Sequence, residues 1–229
     1  MKKFIKDELR GWKPFEIFWL LFASLAILIL SIYWNDNFIG IATALTGIWC
    51  VIFTGKGKRS SFLFGTFNVL LYALVAYKAR YYGEVMLNLI YYFPMNFVGW
   101  FLWTKHMNAE TGEVKKTRLQ RKKSIILYPV TLISIVIYGQ FLKYLGGELP
   151  YIDSMSTVVS VAAQILSVLR LTEQWILWIA VDVVTIILWG VNFAKGGENI
   201  ATLIMWVVYL INAILMYVKW NKEADHHEL

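Results

Sequence analysis

The sequence predicts an all-α integral membrane protein, and three features of the chain indicate this fold class. Of its 229 residues, 59% are hydrophobic and only 16% are charged, so a soluble domain of this composition would expose large apolar patches. Apolar runs of the roughly 20 residues that a membrane-spanning helix needs follow one another almost from end to end. The basic residues gather in short segments between these runs, which is typical of membrane-helix flanks rather than of a nucleic-acid surface.

Turn residues and charges divide the chain into eight predicted helices. They cover residues 15–33, 38–53, 60–77, 83–103, 124–145, 154–169, 174–193 and 198–220. The first apolar run is long and lacks a small-residue cleavage site, so we interpret it as a retained span rather than a signal peptide. The predicted units are a basic segment with the first transmembrane helix (1–35), a three-helix bundle (36–103), a cytosolic loop with a linker helix (104–153), a second three-helix bundle (154–220) and a tail (221–229).

The distribution of basic residues predicts the orientation of these helices. With the N-terminus inside, eighteen of the 22 Lys and Arg residues fall on the inner side. Only Lys78, Arg80, Lys143 and Lys195 fall on the outer side. Since an excess of Lys and Arg marks the cytosolic side, both termini and the loop 104–123 are predicted to be cytosolic.

The two predicted bundles repeat each other. A shift of 114 residues places Thr43 on Thr157 and Asn68 on Asp182, and three helices recur as three helices. The single helix 124–145 separates the triplets, so both run the same way through the membrane. Parallel repeats of this kind are typical of SWEET carriers, whose substrate site lies at the repeat interface near mid-membrane. The predicted fold is therefore a SWEET-like 3+1+3 arrangement with an extra N-terminal helix.

Polar side chains at helical spacing mark the candidate substrate site, because polar groups at membrane depth are costly and usually functional. The candidates are Asn68, Asn88, Asn96, Gln164, Trp178, Asp182, Trp206, Tyr209 and Asn212. Asp182 is the only acid that the prediction places deep in a span. Glu84 and Glu198 stand at outer helix starts, where a carboxylate stabilises the helix N-terminus, and are predicted to be caps.

Other polar and aromatic residues of the spans have structural interpretations. Tryptophans near helix ends are predicted to be interfacial anchors, namely Trp12, Trp34, Trp103, Trp175, Trp189 and Trp220. Thr157, Ser160 and Ser167 on the sixth helix are predicted to allow close helix packing.

Motifs for catalysis and for cofactor binding are missing from the sequence. The glycines of the segment 55–58 lack the spacing of a nucleotide-binding loop. His106, His226 and His227 have no zinc-binding spacing, and the single Cys50 provides neither a disulfide nor a thiol cluster. We therefore predict a protein that is not an enzyme and that needs no cofactor or metal.

Three aromatic motifs resemble the PnuC family of nicotinamide riboside transporters. They are GWFLW at 99–103, WILW at 175–178 followed by Val181 and Asp182, and YVKW at 217–220. The resemblance covers about residues 36–220, and it departs from the family pattern at Met216, where glycine is expected. It implies facilitated diffusion of nicotinamide riboside across the bacterial inner membrane, with phosphorylation by a cytosolic kinase trapping the product. We also expect a homo-oligomer.

The candidate residues suit this ligand. Nicotinamide riboside carries a fixed positive charge on a flat pyridinium ring, and the indole of Trp178 would add a cation–π term of roughly 0.5–2 kcal/mol. Asp182, one turn further along, would compensate the charge, and Gln164, Asn212 and Asn68 would bind hydroxyl and carboxamide groups. Thiamine is also a cationic aromatic vitamin, so thiamine, riboflavin or a non-transporting receptor or assembly role stay open as alternatives. With one deep acid already assigned to the substrate, transport is expected to be passive.

Overall fold

A computed structural model describes residues 2–144, 146, 150–196 and 200–224. Within these residues, eight spans are long and apolar enough to cross a membrane. They are α2 (Pro14–Tyr33), α3 (Phe38–Lys56), α4 (Ser61–Lys78), the composite span Gly83–Lys105, α7 (Arg121–Tyr144), α8 (Pro150–Val168), α9 (Gln174–Ala194) and α10 (Ile200–Glu223). All eight predicted helices are therefore confirmed, with bounds that differ from the prediction by four residues at most. Glu198, His226 and His227 lie outside the described residues.

The composite span is divided by a π-helical segment. A short helix α5 (Tyr82–Met86) leads into the π-helical residues Leu87–Tyr92, and α6 (Phe93–Lys105) continues to the end of the span. Pro94 at the start of α6 has no N–H to donate to the carbonyl four residues earlier, so the α-helical hydrogen-bond pattern is interrupted here. The prediction had one uninterrupted helix over residues 83–103, whereas the structure has a widened turn directly before Pro94.

A short helix α1 (Lys2–Leu9) precedes the first span and was missed by the sequence prediction. Eight residues with a negative mean hydropathy are too few and too polar for the periodicity signal used to find spans. The helix is held by tertiary contacts instead. The Arg59 guanidinium lies 4.9 Å from the centre of the Phe4 ring, and Ser60 donates a hydrogen bond to the Glu8 carboxylate.

The spans pack as two groups of three that contact each other reciprocally. In the first group α3 packs on α4, and α4 packs on α5, the π-helical segment and α6. In the second group α8 packs on α9, and α9 packs on α10. The first helix of each group also contacts the last helix of the other, since α3 packs on α10 and α6 packs on α8. Helix α2 covers α3 and α10 from outside, and α7 lies against α8.

Gly55 allows α3 and α10 to approach closely. A β-carbon at Gly55 would lie 2.4 Å from Met216 Cγ and Sδ, and the Gly55 carbonyl accepts a 2.8 Å hydrogen bond from Trp220 Nε1. Met216 is the residue at which the sequence resemblance leads us to expect glycine. Its long side chain fills the space that Gly55 of the partner helix leaves open.

Four tryptophans predicted to be interfacial anchors are buried in the protein instead. Trp103, Trp175, Trp189 and Trp220 are 0%, 2%, 1% and 0% exposed, so the anchor prediction is wrong for them. Three of their indoles donate hydrogen bonds inside the bundle, from Trp103 to Ser167 O, from Trp189 to the Tyr72 hydroxyl and from Trp220 to Gly55 O. A buried indole N–H needs such a partner, and these helix ends offer one within the fold.

The end of the bundle that carries the N-terminal helix is closed by buried ion pairs. Glu16 on α2 accepts from Lys56 at 2.7 Å and from Lys219 at 2.6 Å. Lys56 also contacts Glu113 at 2.8 Å, and Glu113 contacts Lys116 at 3.0 Å. These pairs join α2, α3, α10 and the loop 106–120. Lys116 and then Lys56 hold the pKa of Glu113 below its ordinary value, although burial alone would raise it.

The predicted polar loop is thus an ordered part of the fold. Val114 donates a backbone hydrogen bond to Gly57, and Thr117 pairs with Arg170 and Thr172 through the backbone. The Lys58 ammonium donates to the carbonyls of residues 7 and 112 at 2.6 and 2.7 Å. Burial lowers the pKa of Lys58 and raises the pKa of Glu8 beside it. The loop therefore packs against the helix ends, and its Glu113 and Lys116 are held in ion pairs.

Candidate functional site

A cavity of about 120 Å³ lies between the two groups of three helices. This is roughly ten times the 10–15 Å³ that one water molecule needs on the same measure, so a small organic ligand can be accommodated with modest side-chain movement. Its walls come from α3, α4, the composite span, α8, α9 and α10. The cavity therefore lies where the two groups meet, near the middle of the spans.

All nine predicted substrate-binding residues line this cavity. Asn68 projects from α4, Asn88 from the π-helical segment, Asn96 from α6, Gln164 from α8, Trp178 and Asp182 from α9, and Trp206, Tyr209 and Asn212 from α10. Five spans thus bring together side chains that are up to 144 positions apart in the sequence. Whether each of them contacts a substrate remains a prediction.

The Asp182 carboxylate is the most unusual group of the cavity. Its side chain is 2% exposed, and it makes no hydrogen bond and no ion pair with any described residue. A buried carboxylate is normally compensated by a cation or by several donors, because removing it from water costs several kcal/mol. Its counterpart Asn68 donates to the Thr43 carbonyl at 2.8 Å. Asp182 is therefore the group whose missing partner points to a ligand.

Aromatic side chains surround this acid. The rings of Tyr92 and Trp178 are 6.3 Å apart and tilted by 42°, and those of Trp206 and Tyr209 are 5.0 Å apart in an edge-on arrangement. Tyr72 lies 5.9 Å from Trp206. Aromatic faces stabilise a cation through their quadrupoles and stack on flat rings. The cavity thus combines a negative charge with surfaces suited to a planar cation.

Several polar groups of the cavity have no partner among the described residues and are available to a ligand. The Asn96 side-chain N–H₂ and the Trp175 indole N–H are buried and have no hydrogen-bond partner in the part of the chain that the structure describes. The Gln164 amide, 8% exposed, makes no hydrogen bond to any described residue. Unsatisfied buried donors cost about 1–3 kcal/mol each, so a ligand that supplied acceptors would recover this free energy.

Other predicted residues are partly committed to the fold. The Asn212 side chain accepts from Trp19 Nε1 at 3.3 Å and donates to the Val51 carbonyl at 3.1 Å, which ties α10 to α2 and α3. Asn88 donates to the Glu84 carbonyl at 2.8 Å. Asn68 and Asn88 keep their side-chain oxygens free, whereas Asn212 retains only one N–H and one lone pair.

Sequence reasoning missed several lining residues. Glu84 stands in the first turn of α5, as predicted for a cap, but its side chain also lines the cavity. Ser160 and Ser167 were assigned to packing and Trp175 to the interface, and all three line the cavity as well. The i, i+4 spacing of Glu84, Asn88, Tyr92 and Asn96 could have identified the acid, whereas nothing in the local sequence distinguishes the serines from packing residues.

The charge of the lining is entirely negative in the described part of the chain. Asp182 and Glu84 line the cavity, and Lys, Arg and His do not. The described residues also include no group of three or more His, Cys, Asp or Glu side chains that could hold a metal ion. The site is therefore suited to an uncharged or cationic organic ligand rather than to an anion.

Gly47 determines the position of two lining residues, so Gly47→Ala is expected to destabilise the protein. A β-carbon there would lie 2.0 Å from the Tyr209 hydroxyl oxygen and 2.7 Å from Asn68 Nδ2. Such overpacking costs about 1–3 kcal/mol, which would be measured as a fall in the free energy of unfolding in detergent. Gly190→Ala on α9 is the matched control, since nothing lies within 4 Å of its added β-carbon. Equal stability of the two variants would contradict the close contact.

An eight-span bundle with a buried polar cavity between two helix groups is the architecture of a membrane transporter for a small molecule. The comparison with known proteins supports the assignment to membrane transporters. The family model described as "Nicotinamide mononucleotide transporter" matches residues 37–222. Two relatives are named nicotinamide riboside transporter PnuC. The protein from Neisseria mucosa is 41% identical to this chain, over 95% of this chain and 84% of the relative. The protein from Haemophilus influenzae is 35% identical, over 95% of both chains.

A solved structure is also similar to this chain. It is described as the crystal structure of the vitamin B3 transporter PnuC and superposes with a TM-score of 0.87, at 41% identity, over 96% of both chains. The chain belongs to the PnuC transporter family, as the aromatic motifs predicted. This family membership confirms the all-helical membrane fold and the assignment to transporters.

Proposed function

We propose that this protein carries nicotinamide riboside across the membrane and binds it in the central cavity, between Asp182 and the surrounding aromatic rings. The observation that carries this proposal is the buried Asp182 carboxylate, which has no partner among the described residues. A pyridinium cation supplies the missing charge. The names of the PnuC relatives favour this vitamin over thiamine and riboflavin.

The lining favours the riboside over the mononucleotide that the family description names. A nucleotide phosphate is recognised by Arg, Lys or helix N-termini. The cavity instead presents the carboxylates of Asp182 and Glu84 and no basic side chain among the described residues. Two acids would repel a phosphate, whereas they attract the positively charged nucleoside.

The neutral polar groups have a role in the same proposal. The Trp178 indole stacks on the pyridinium ring, and the free donors of Asn96 and Trp175 bind carboxamide or ribose oxygens. Gln164 can donate and accept, so it suits either group. Trp206, Tyr209, Asn68, Asn88 and Asn212 complete the walls of the site. A site built on hydrogen bonds to hydroxyl groups discriminates strongly against analogues that lack them.

The proposed architecture is the SWEET-like 3+1+3 arrangement, with α7 as the linker and α2 as the additional helix. The reciprocal contacts of α3 with α10 and of α6 with α8 support it, because two equivalent helix groups related by a twofold axis would make equivalent contacts. The proposed location is the bacterial inner membrane, with both termini in the cytosol as the basic residues indicate. We further propose a homo-oligomer and trapping of the product by a cytosolic kinase.

Transport is proposed to be facilitated diffusion. In liposomes that contain the purified protein and are held at zero membrane potential, nicotinamide riboside should equilibrate without accumulating, even under a proton or sodium gradient. The potential must be clamped, because a permeating cation follows voltage at about 2.3 kcal/mol per 100 mV. Nicotinamide mononucleotide, thiamine and riboflavin should enter much more slowly. Accumulation under either gradient, or faster flux of a competitor, would contradict the proposal, and binding without flux would indicate a receptor.

A further inference from the structure

One side of the composite span carries four polar residues at intervals of four. These are Glu84, Asn88, Tyr92 and Asn96, and we refer to them as the polar ladder. All four line the cavity. The ladder runs from the first turn of α5, at the end of the bundle away from the termini, to the middle of the span.

The π-helical segment explains why the ladder stays on one side. In an α-helix, a step of four residues turns about 40° beyond a full turn. Three such steps would rotate the last residue by about 120° out of the cavity. The wider turn at Leu87–Tyr92 takes up an additional residue and offsets this drift. The π-helical turn therefore lies at the position where it keeps the four residues of the polar ladder on the cavity side.

Glu84 is the charged end of the ladder. Its side chain is half-buried, and its carboxylate makes no hydrogen bond or ion pair with any described residue. The exposed Asp153 on α8 interacts with it through its charge and adds to the negative potential at this end. A helix cap would need the Glu84 carboxylate to engage a backbone N–H, which it does not do within the described residues. Its side chain is therefore available to a molecule in the cavity.

We propose that Glu84 is a second binding position for the organic cation, which the substrate occupies on its way between the outer side and Asp182. This inference rests on the proposed function, because it assigns a further residue to the same transport path. The Glu84 carboxylate on the composite span and the Asp182 carboxylate on α9 offer the cation successive partners as it loses water. Asn88 and Tyr92 lie between them and provide oxygens for the intermediate positions.

The difference in burial makes the two positions unequal. Glu84 is partly exposed, whereas Asp182 is 2% exposed. A charge pair is weaker where water screens it, so the cation at Glu84 is held briefly and the one at Asp182 more tightly. Loss of the Glu84 charge should therefore change the rate at which substrate arrives more than the affinity at equilibrium, as is usual for charges at the rim of a site.

The test compares Glu84→Gln with the unmodified protein in liposomes held at zero potential. The initial rate of nicotinamide riboside uptake at low salt should fall roughly 3- to 10-fold, and the rate should become less sensitive to added salt. Uptake of the reduced dihydropyridine riboside, an uncharged molecule of nearly the same shape, should not change. Glu84→Asp keeps the charge and should retain most of the rate, which shows that the carboxylate rather than local packing is responsible.

The control is Glu110→Gln, which removes a carboxylate from the exposed loop at the opposite end. It should leave uptake of both ribosides unchanged. An unchanged rate and salt dependence in Glu84→Gln would overturn the inference, as would equal slowing of the charged and uncharged ribosides. These outcomes leave the proposed function intact. Failure of the unmodified protein to transport nicotinamide riboside would instead remove the proposed function.

Discussion

Asp182→Asn is expected to weaken nicotinamide riboside binding by about 2–5 kcal/mol, the range found when one member of a buried charge pair is neutralised. The exchange keeps the size of the side chain and removes only the charge that the substrate cation would compensate. Asp182 is 2% exposed, so water cannot replace the lost interaction. The dissociation constant, measured by isothermal titration or by ligand-induced thermal stabilisation, gives the size of the effect.

The uncharged dihydropyridine riboside separates charge recognition from general damage to the site. The affinity of this molecule should change little in Asp182→Asn, because it carries no positive charge for Asp182 to compensate. The variant should also be at least as stable as the original protein without ligand, since the substitution removes an uncompensated buried carboxylate. A dissociation constant for nicotinamide riboside that is unchanged by this substitution would refute the role assigned to Asp182.

Glu16→Gln is expected to destabilise the protein by about 3–5 kcal/mol, because it leaves two lysines without the charge they share. Lys56 Nζ lies 2.7 Å and Lys219 Nζ 2.6 Å from the Glu16 carboxylate oxygens. Lys56 and Glu16 are 3% and 7% exposed, so the loss is not made up by solvent. The Lys13 backbone N–H, which donates to Glu16 at 2.8 Å, can still bond the amide oxygen.

Chemical unfolding in detergent measures this effect, with Glu110→Gln again as the control. Glu110 is exposed, so removing its charge should change the free energy of unfolding by less than about 0.5 kcal/mol. A similar small change in Glu16→Gln would mean that the ion pairs of α2, α3 and α10 contribute nothing to stability. It would also show that the closed end of the bundle is held by apolar packing alone.

The spans and the identity of the cavity residues could be predicted from the sequence because both depend on local composition. A membrane helix satisfies its own backbone hydrogen bonds, so its position follows from a run of apolar residues. Polar residues inside such a run are rare enough to be noticed one by one. This is how Asp182, Gln164 and Asn96 were identified before any contact between them was known.

The predictions that failed concern the surroundings of a residue rather than its type. Trp103 and Trp220 stand near helix ends, where tryptophan is usually an anchor, but they are buried in one cluster with Val114 of the loop 106–120. The polar loop looked like a free linker because its charges suit water. Glu113 and Lys116 of this loop are in fact paired with Lys56 and Glu223, which are more than 40 positions away.

By itself, the sequence determined the membrane-spanning class, the eight helices, the family resemblance and a set of candidate binding residues. The tertiary structure decided which polar groups remain free. The Asn212 side chain is hydrogen-bonded to Trp19 and to the Val51 carbonyl, whereas Asp182 has no partner among the described residues. It also decided that Glu84 faces the cavity, through the π-helical turn that precedes Pro94. The physical reason is that these hydrogen bonds and ion pairs form between helices. Which helices pack together cannot be read from the sequence of any single helix.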